Sequence, residues 1–174
     1  MAVANRLWNE FVRMEIERQF LVEKLPELPD SYEELQQGYI SLEPEIRIRR
    51  IGDSHFILTV KRGNGLVREE WETDISRQEY ENLAARLYPG TRMIEKCRYH
   101  IKLQDGRIAE LHVHGGHLAG FSYVEVEFST VEKAKGFVPP DWFGREVTED
   151  ARFSYGTLAN EDGMEVVRRL LIDR

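Results

Sequence analysis

The chain reads as mainly β, an α+β arrangement with peripheral helices, and three observations carry that reading. Seven short runs alternate apolar and polar residues, glycine-rich turn signals separate most of them, and helical spacing is confined to a few short segments. The 174 residues suit one domain, with no internal repeat and no low-complexity segment.

Taken in order, Met1–Arg13 could form a short amphipathic helix around Leu7, Trp8, Phe11 and Val12, or be a loosely attached extension (1–13). The patterned domain is then expected over 14–174. The alternating runs are Met14–Val22, Glu45–Arg50, Phe56–Arg62, Leu66–Ile75, Met93–Leu103, Arg107–His114 and Phe121–Ser129. Gly52-Asp53, Gly63-Asn64-Gly65, Asp105-Gly106 and Gly115-Gly116 punctuate them. Lys24–Gln37 holds Pro26 and Pro29 and reads as loop mixed with a short helix. Helices are predicted at Arg77–Leu87 and Val131–Phe137, opened by the capping-box patterns Ser76-x-x-Glu79 and Ser129-x-x-Glu132. A last helix near Met164–Ile172 carries Met164, Val167, Leu170 and Leu171 at helical spacing.

Composition narrows the function classes. With 24 Lys+Arg against 31 Asp+Glu the formal net charge is −7, which argues against duplex nucleic acid as a partner, since that binding rests on neutralised phosphates. No run of 18 or more apolar residues occurs, and MAVANRLWNEF lacks the apolar core of a secretory signal, so no membrane role is expected. Cys97 is the one cysteine; it excludes an intramolecular disulfide and a multi-cysteine zinc site, and fits a cytoplasmic location.

The polar faces of the strands are more selective than solvation requires. Glu15, Glu17 and Gln19 share one face, as do Arg47 and Arg49; Lys61 ends its run on the face opposite Val60. Arg68, Glu70 and Glu72 alternate with Val67 and Trp71; Lys96, Arg98, His100 and Lys102 alternate with Cys97, Tyr99 and Ile101. Glu110, His112 and His114 form one set, Glu125 and Glu127 another. A solvated sheet face mixes signs, whereas these sets are sorted by strand. Two architectures accommodate them: an open antiparallel sheet with a wet charged face, or a closed barrel with its charges inward and helices outside. An inward-facing set would desolvate carboxylates and cations together, and a polyanion with divalent cations would fill the unpaired positions.

The residues resemble the CYTH-domain family, the triphosphate tunnel metalloenzymes. Glu15-Ile-Glu17-Arg-Gln19 is similar to the family's ExExK opening strand. The likeness runs on through Gln37-Gly-Tyr-Ile, Arg47-x-Arg49, Thr59-Val-Lys61, Arg68-Glu-Glu70-Trp-Glu72, Glu95-Lys96-x-Arg98-Tyr99 and Leu118-Ala-Gly120. It ends with Val124-Glu125-Val-Glu127-Phe128, Asp141-Trp-Phe-Gly-Arg145 and Tyr155-Gly-x-Leu158, so it spans about Met14 to Ala159. The resemblance implies an eight-stranded antiparallel tunnel barrel with a charged lumen that binds a triphosphate-containing small molecule beside Mg²⁺ or Mn²⁺. It implies triphosphatase activity, with adenylate cyclase-like conversion of ATP or non-catalytic polyphosphate binding as alternatives, in a monomer or homodimer. Carried onto this sequence, Glu15, Glu17, Glu125 and Glu127 would hold metal. Arg47, Arg49, Lys61, Arg68, Lys96, Arg98 and Arg145 would bind substrate, and Glu70 and Glu72 would be catalytic. Two departures stand out: Gln19 replaces the family lysine, and His112 stands where members often carry an acid.

Other motifs read as structural. His112-Val-His114-Gly-Gly-His117 invites a transition-metal site but fits a hairpin end with lumen or rim histidines better. Gly63-Asn-Gly65 lacks the GK[ST] of a phosphate loop and reads as a hairpin turn. Cys97 faces the apolar layer, and Trp142-Phe143 after Pro139-Pro140 reads as a plug packed on the barrel.

Overall fold

A computed structural model describes residues 12–160 and 162–172. The predicted N-terminal helix or extension lies almost entirely outside the described residues. Eight strands form the molecule: β1 Arg13–Leu21, β2 Glu33–Leu42, β3 Glu45–Ile51, β4 His55–Arg62, β5 Val67–Asp74, β6 Ile94–Lys102, β7 Ile108–His114 and β8 Ser122–Glu127. They close in the order β1-β5-β4-β3-β2-β6-β7-β8, with β8 returning to β1 and every neighbouring pair antiparallel. Of the two architectures that fit the alternation, the protein adopts the barrel, which leaves no exposed sheet edge.

β2 corrects the expectation of loop and short helix over Lys24–Gln37. Glu33–Leu42 pairs with β3 on one side and β6 on the other. Both faces of Glu33-Glu34-Leu35-Gln36-Gln37 carry polar groups, so no alternation marks it as a strand. Gly38, on its outer face, explains the tight packing there: a Cβ would stand 2.6 Å from Leu87 and 2.7 Å from Met93.

The helices cover the outside and one end. Helix α1 (Arg77–Ala84) opens with the predicted capping box: the Ser76 side chain accepts from the Glu79 amide at 3.2 Å, and the Ser76 amide donates to Glu79 Oε2 at 2.7 Å. Its Tyr80 packs on Ile48 and Phe56 of the outer barrel wall. Helix α2 (Val131–Lys135) is capped by Thr130, not by Ser129 as its pattern suggested; the Thr130 hydroxyl accepts from the Lys133 amide at 3.2 Å. Arg18 fastens α2 to β1 by donating to the carbonyls of Ala134 and Phe137 at 3.0 and 2.9 Å. Phe143 joins Phe20 and Phe137 in this apolar layer and Trp142 packs against it, as the plug reading anticipated.

β1 keeps its β5 partner only to Ile16, after which the chain's later part takes over that edge. Gly144 donates to the Leu21 carbonyl at 2.7 Å and Leu21 donates to the Arg145 carbonyl at 2.9 Å. The approach is close enough that a Cβ on Gly144 would lie 2.7 Å from the Leu21 carbonyl oxygen. From there, helices α3 (Tyr155–Leu158) and α4 (Gly163–Ile172) cover one end of the barrel. Phe153, Tyr155, Leu158 and Val167 pack there against Leu21, Tyr39, Ile94 and Tyr123. Among the described residues no helix is long and apolar enough to cross a membrane.

Candidate active site in the barrel lumen

Closing the sheet puts every charge-bearing face predicted from alternation on the inside. A cavity of about 680 Å³ runs through the lumen, lined by Glu15, Glu17, Arg47, Arg49, Lys61, Arg68, Glu70, Glu72, Lys96, Arg98, Glu125 and Glu127. All the candidate site residues except Arg145 are therefore brought together. Arg145 is not among the lining residues; its guanidinium lies over the Phe153 ring, 5.3 Å from the centroid, because its segment is spent on extending the β1 edge.

Strand order sorts the charges by arc. β8, β1 and β5 are contiguous and carry the acids; β3 and β6 flank β2 on the opposite arc and carry Arg47, Arg49, Lys96 and Arg98. Three cations, Arg13 on β1, Arg68 on β5 and Lys61 on the neighbouring β4, are spent on the acidic arc. Lys61 bonds both Glu15 oxygens at 2.8 and 2.7 Å and reaches Glu70 at 3.0 Å. Arg68 lies 3.1 Å from Glu15 and 3.0 Å from Glu17. Glu70 also takes the Arg13 guanidinium, at 2.8 Å from Nε, and sits 3.8 Å from Arg47. Burial works against its charge, but Lys61, Arg47 and Arg13 hold its carboxyl down at about 2. Glu72, exposed toward the mouth, accepts from the Thr59 hydroxyl at 2.9 Å.

On the basic arc Arg98 is spent on Glu33, at 2.8 Å from Nε, and on Glu110 at 3.1 Å, but the other three cations keep donors in hand. The buried Nε atoms of Arg47 and Arg49 have no hydrogen-bond partner, and Lys96, 6% exposed, has no ion-pair partner among the described residues. Its ammonium instead sits over the Tyr155 ring, 3.9 Å from the centroid. Burial, and then the cations Arg49, Arg47 and Arg98, push the Lys96 ammonium well below its usual range despite the opposing Glu125. Arg49 is lowered by burial and by Arg47. Lys96 and Arg49, crowded until they resist their own charge, together with the spare donor of Arg47, make an anion site.

The acidic arc shows the complementary strain. Burial and the Glu125 and Glu15 carboxylates push the Glu17 carboxyl well up, while His112 and Lys96 hold Glu125 down against its own burial. The two carboxylates therefore resist carrying their charges together, a strain that a further cation would relieve. Gln19 stands between them, donating to Glu17 at 2.6 Å and to Glu125 at 3.4 Å. Glu110, His112 and Glu125 present ligand atoms all within 4.8 Å of one another, so the donor set fits a divalent ion. Glu127 lies at the rim, 58% exposed and 3.8 Å from Arg13.

The three histidines of the His112–His117 run do not converge. His114 Nδ1 meets the Phe121 carbonyl at 3.0 Å and His117 Nε2 the Leu158 carbonyl at 3.2 Å; His112 alone reaches a carboxylate, Glu125, at 2.9 Å. Burial, then Lys96, lowers His112 to about 4, so this contact is a hydrogen bond of a neutral ring. Sequence reasoning missed Arg13 and Glu45, which share lumen parity with Glu15 and with Arg47, and it assigned no role to Tyr155. The parity of the first two was available; nothing periodic marked the third.

A CYTH domain family model matches residues 13–137. An inorganic triphosphatase of Nitrosomonas europaea is 43% identical over 150 residues, covering 83% of this chain and 96% of that protein. An inorganic triphosphatase of Acetivibrio thermocellus is 30% identical over 147 residues, covering 80% and 88%. A solved structure of an inorganic triphosphatase, 40% identical, covers 83% of this chain and 93% of its own with a TM-score of 0.62. An adenylyl cyclase-like chain from Hippeastrum, 15% identical with a TM-score of 0.52 over 70% and 83%, shares the fold alone. With a sorted lumen inside a closed eight-stranded barrel and matches of this extent, the chain belongs to the CYTH domain family.

Proposed function

We propose that this chain hydrolyses inorganic triphosphate in the barrel lumen, with Mg²⁺ or Mn²⁺ bound on the acidic arc. The observation that carries the reading is the set of unspent buried donors on the basic arc, Arg47 Nε, Arg49 Nε and the Lys96 ammonium. Arg47, Arg49, Lys96 and Arg98 would grip the phosphate oxygens, and Lys61 and Arg68 would hold the carboxylates in place. Glu15, Glu17, Glu125 and Glu127 would hold metal, which when bound supplies Lewis-acid neutralisation of phosphate charge. Phosphoryl transfer asks mainly for positioning and charge stabilisation, which fixed cations provide. Glu70, held near 2 by three cations, is too weak a base to take a proton and is assigned to orienting those cations. Glu72 is assigned to orienting the attacking water.

An inorganic substrate is favoured over a nucleotide by the lining. Tyr155 is the one Phe, Tyr or Trp among the described lining residues, and the Lys96 ammonium covers its face, so no ring is left to stack on a base. The two inorganic triphosphatase relatives support the same choice. A non-catalytic binder is the second reading, favoured by the neutral Gln19 amide between Glu17 and Glu125. The half-buried free Cys97 thiol agrees with a cytoplasmic setting, and a monomer or homodimer with a lumen built from one chain.

Phosphate release from tripolyphosphate, thiamine triphosphate and ATP with Mg²⁺ or Mn²⁺ tests the proposal. Tripolyphosphate should be the preferred substrate, and Arg49→Ala or Lys96→Ala should each lower kcat/KM by roughly 100-fold or more. Equal turnover in both variants would remove the basic arc from the reaction. Binding by calorimetry without product would favour the second reading.

A further inference from the structure

We propose that Glu110, His112 and Glu125 form a mixed nitrogen–oxygen site that selects a first-row transition ion, such as Mn²⁺ or Co²⁺, over Mg²⁺. The inference rests on the reading that the lumen binds a divalent ion; it keeps Glu125 from the metal set proposed above and adds Glu110 and His112 to it. Two strands build the group: Glu110 and His112 are alternate residues on β7, and Glu110 pairs directly with Glu125 on β8. Their ligand atoms lie within 4.8 Å of one another, with His112 Nε2 to Glu125 Oε2 at 2.9 Å. Two donors about 2.1 Å from one ion, at angles between octahedral and tetrahedral, stand ~3.0–3.4 Å apart, so this edge needs little adjustment.

A second observation points to a cation. Glu125 is 14% exposed, yet its hydrogen-bond partners among the described residues are an amide and an imidazole, Gln19 at 3.4 Å and His112 at 2.9 Å. No Lys or Arg stands in ion-pair contact with this carboxylate among the described residues, and Lys96 and Lys61 offset its charge only from farther off. The His112 ring is itself 2% exposed, with Nδ1 unpartnered, and its edge is set against Tyr155 at 6.1 Å between centroids. It is fixed in direction before any ion arrives. His114 and His117 are spent on backbone carbonyls, and His100, 3.4 Å from Glu110, stands at the exposed rim, so His112 is the buried nitrogen donor within this group. Imidazole suits first-row transition ions, whereas Mg²⁺ demands oxygen and sheds its water reluctantly, so a nitrogen at this vertex discriminates between them.

The test is electron spin-echo spectroscopy of Mn²⁺ bound to the full-length chain, with equilibrium dialysis of Mn²⁺ and Mg²⁺. Wild type should show nitrogen modulation of the Mn²⁺ echo and tighter binding of Mn²⁺ than of Mg²⁺. His112→Asp should lose the modulation and narrow that preference by about tenfold or more. Bound Mn²⁺ without nitrogen modulation in wild type, a measurement that needs no variant, would overturn the inference and leave metal dependence standing. Modulation that persists in His112→Asp would also overturn it. If neither ion binds, with or without tripolyphosphate, the metal reading itself fails.

Discussion

Glu70 is 2% exposed and ionised, because Lys61, Arg47 and Arg13 converge on it. Its folded-state carboxyl near 2 lies below the ordinary 4.5, so the stability it contributes is full above about 4.5 and is lost as pH falls toward 2. Thermal unfolding against pH should show that decline in wild type and a flatter profile in Glu70→Gln. The same variant should be less stable at neutral pH by roughly 3–5 kcal/mol, since it strands buried cations. Gln19 gives the opposite case. Gln19→Lys would place a cation between Glu17 and Glu125, so the metal-free protein should melt higher while its Mn²⁺ affinity falls. Calorimetry with and without Mn²⁺ reads both, and an unchanged affinity would show that Gln19 does not set the charge of the metal site. At this scale the sequence was legible wherever strict alternation operated, because parity alone assigns a strand residue to lumen or outer wall. Arg145, grouped by motif with the substrate-binding residues, does not line the lumen; it lies in a segment with no period, where a motif match carries no orientation.

Capping chemistry shows what was readable in the elements. Ser76 and Glu79 satisfy each other's backbone amides, and Ser76→Ala should cost about 1 kcal/mol in chemical denaturation while leaving turnover intact, since α1 lies outside the lumen. Loss of activity at unchanged stability would mean that α1 reaches the site. Ser129 and Thr130 are adjacent hydroxyls; Glu132 three places on favours Ser129 by pattern, yet the backbone geometry selects Thr130, whose third residue is Lys133. β2 escaped detection for a different reason. A barrel strand with a polar lumen face and Glu34 and Gln36 outside has no apolar face to announce it, so its existence followed only from the family resemblance.

The net charge of −7 argues against duplex nucleic acid as a partner. The barrel changes what that number means, because strand order segregates the charges: acids on β8, β1 and β5, cations on β3 and β6, with β4 and β7 between the arcs. Part of the acid excess belongs to the metal's side of the lumen, and the basic arc stays open to phosphate. Closure and charge sorting could both be reasoned from the strand faces; the covering of one end by Phe153, Tyr155 and Leu158 could not, since it depends on an aperiodic segment returning to the barrel. The central claim is that the two arcs hold a triphosphate and a metal ion together and cleave it. Phosphorus NMR of tripolyphosphate incubated with the full-length chain and Mn²⁺, quenched with EDTA before recording, tests it most directly. The account predicts conversion to equal amounts of pyrophosphate and orthophosphate, stopped when EDTA is present from the start. Tripolyphosphate that remains intact with metal present, or is cleaved as fast in EDTA, would contradict it.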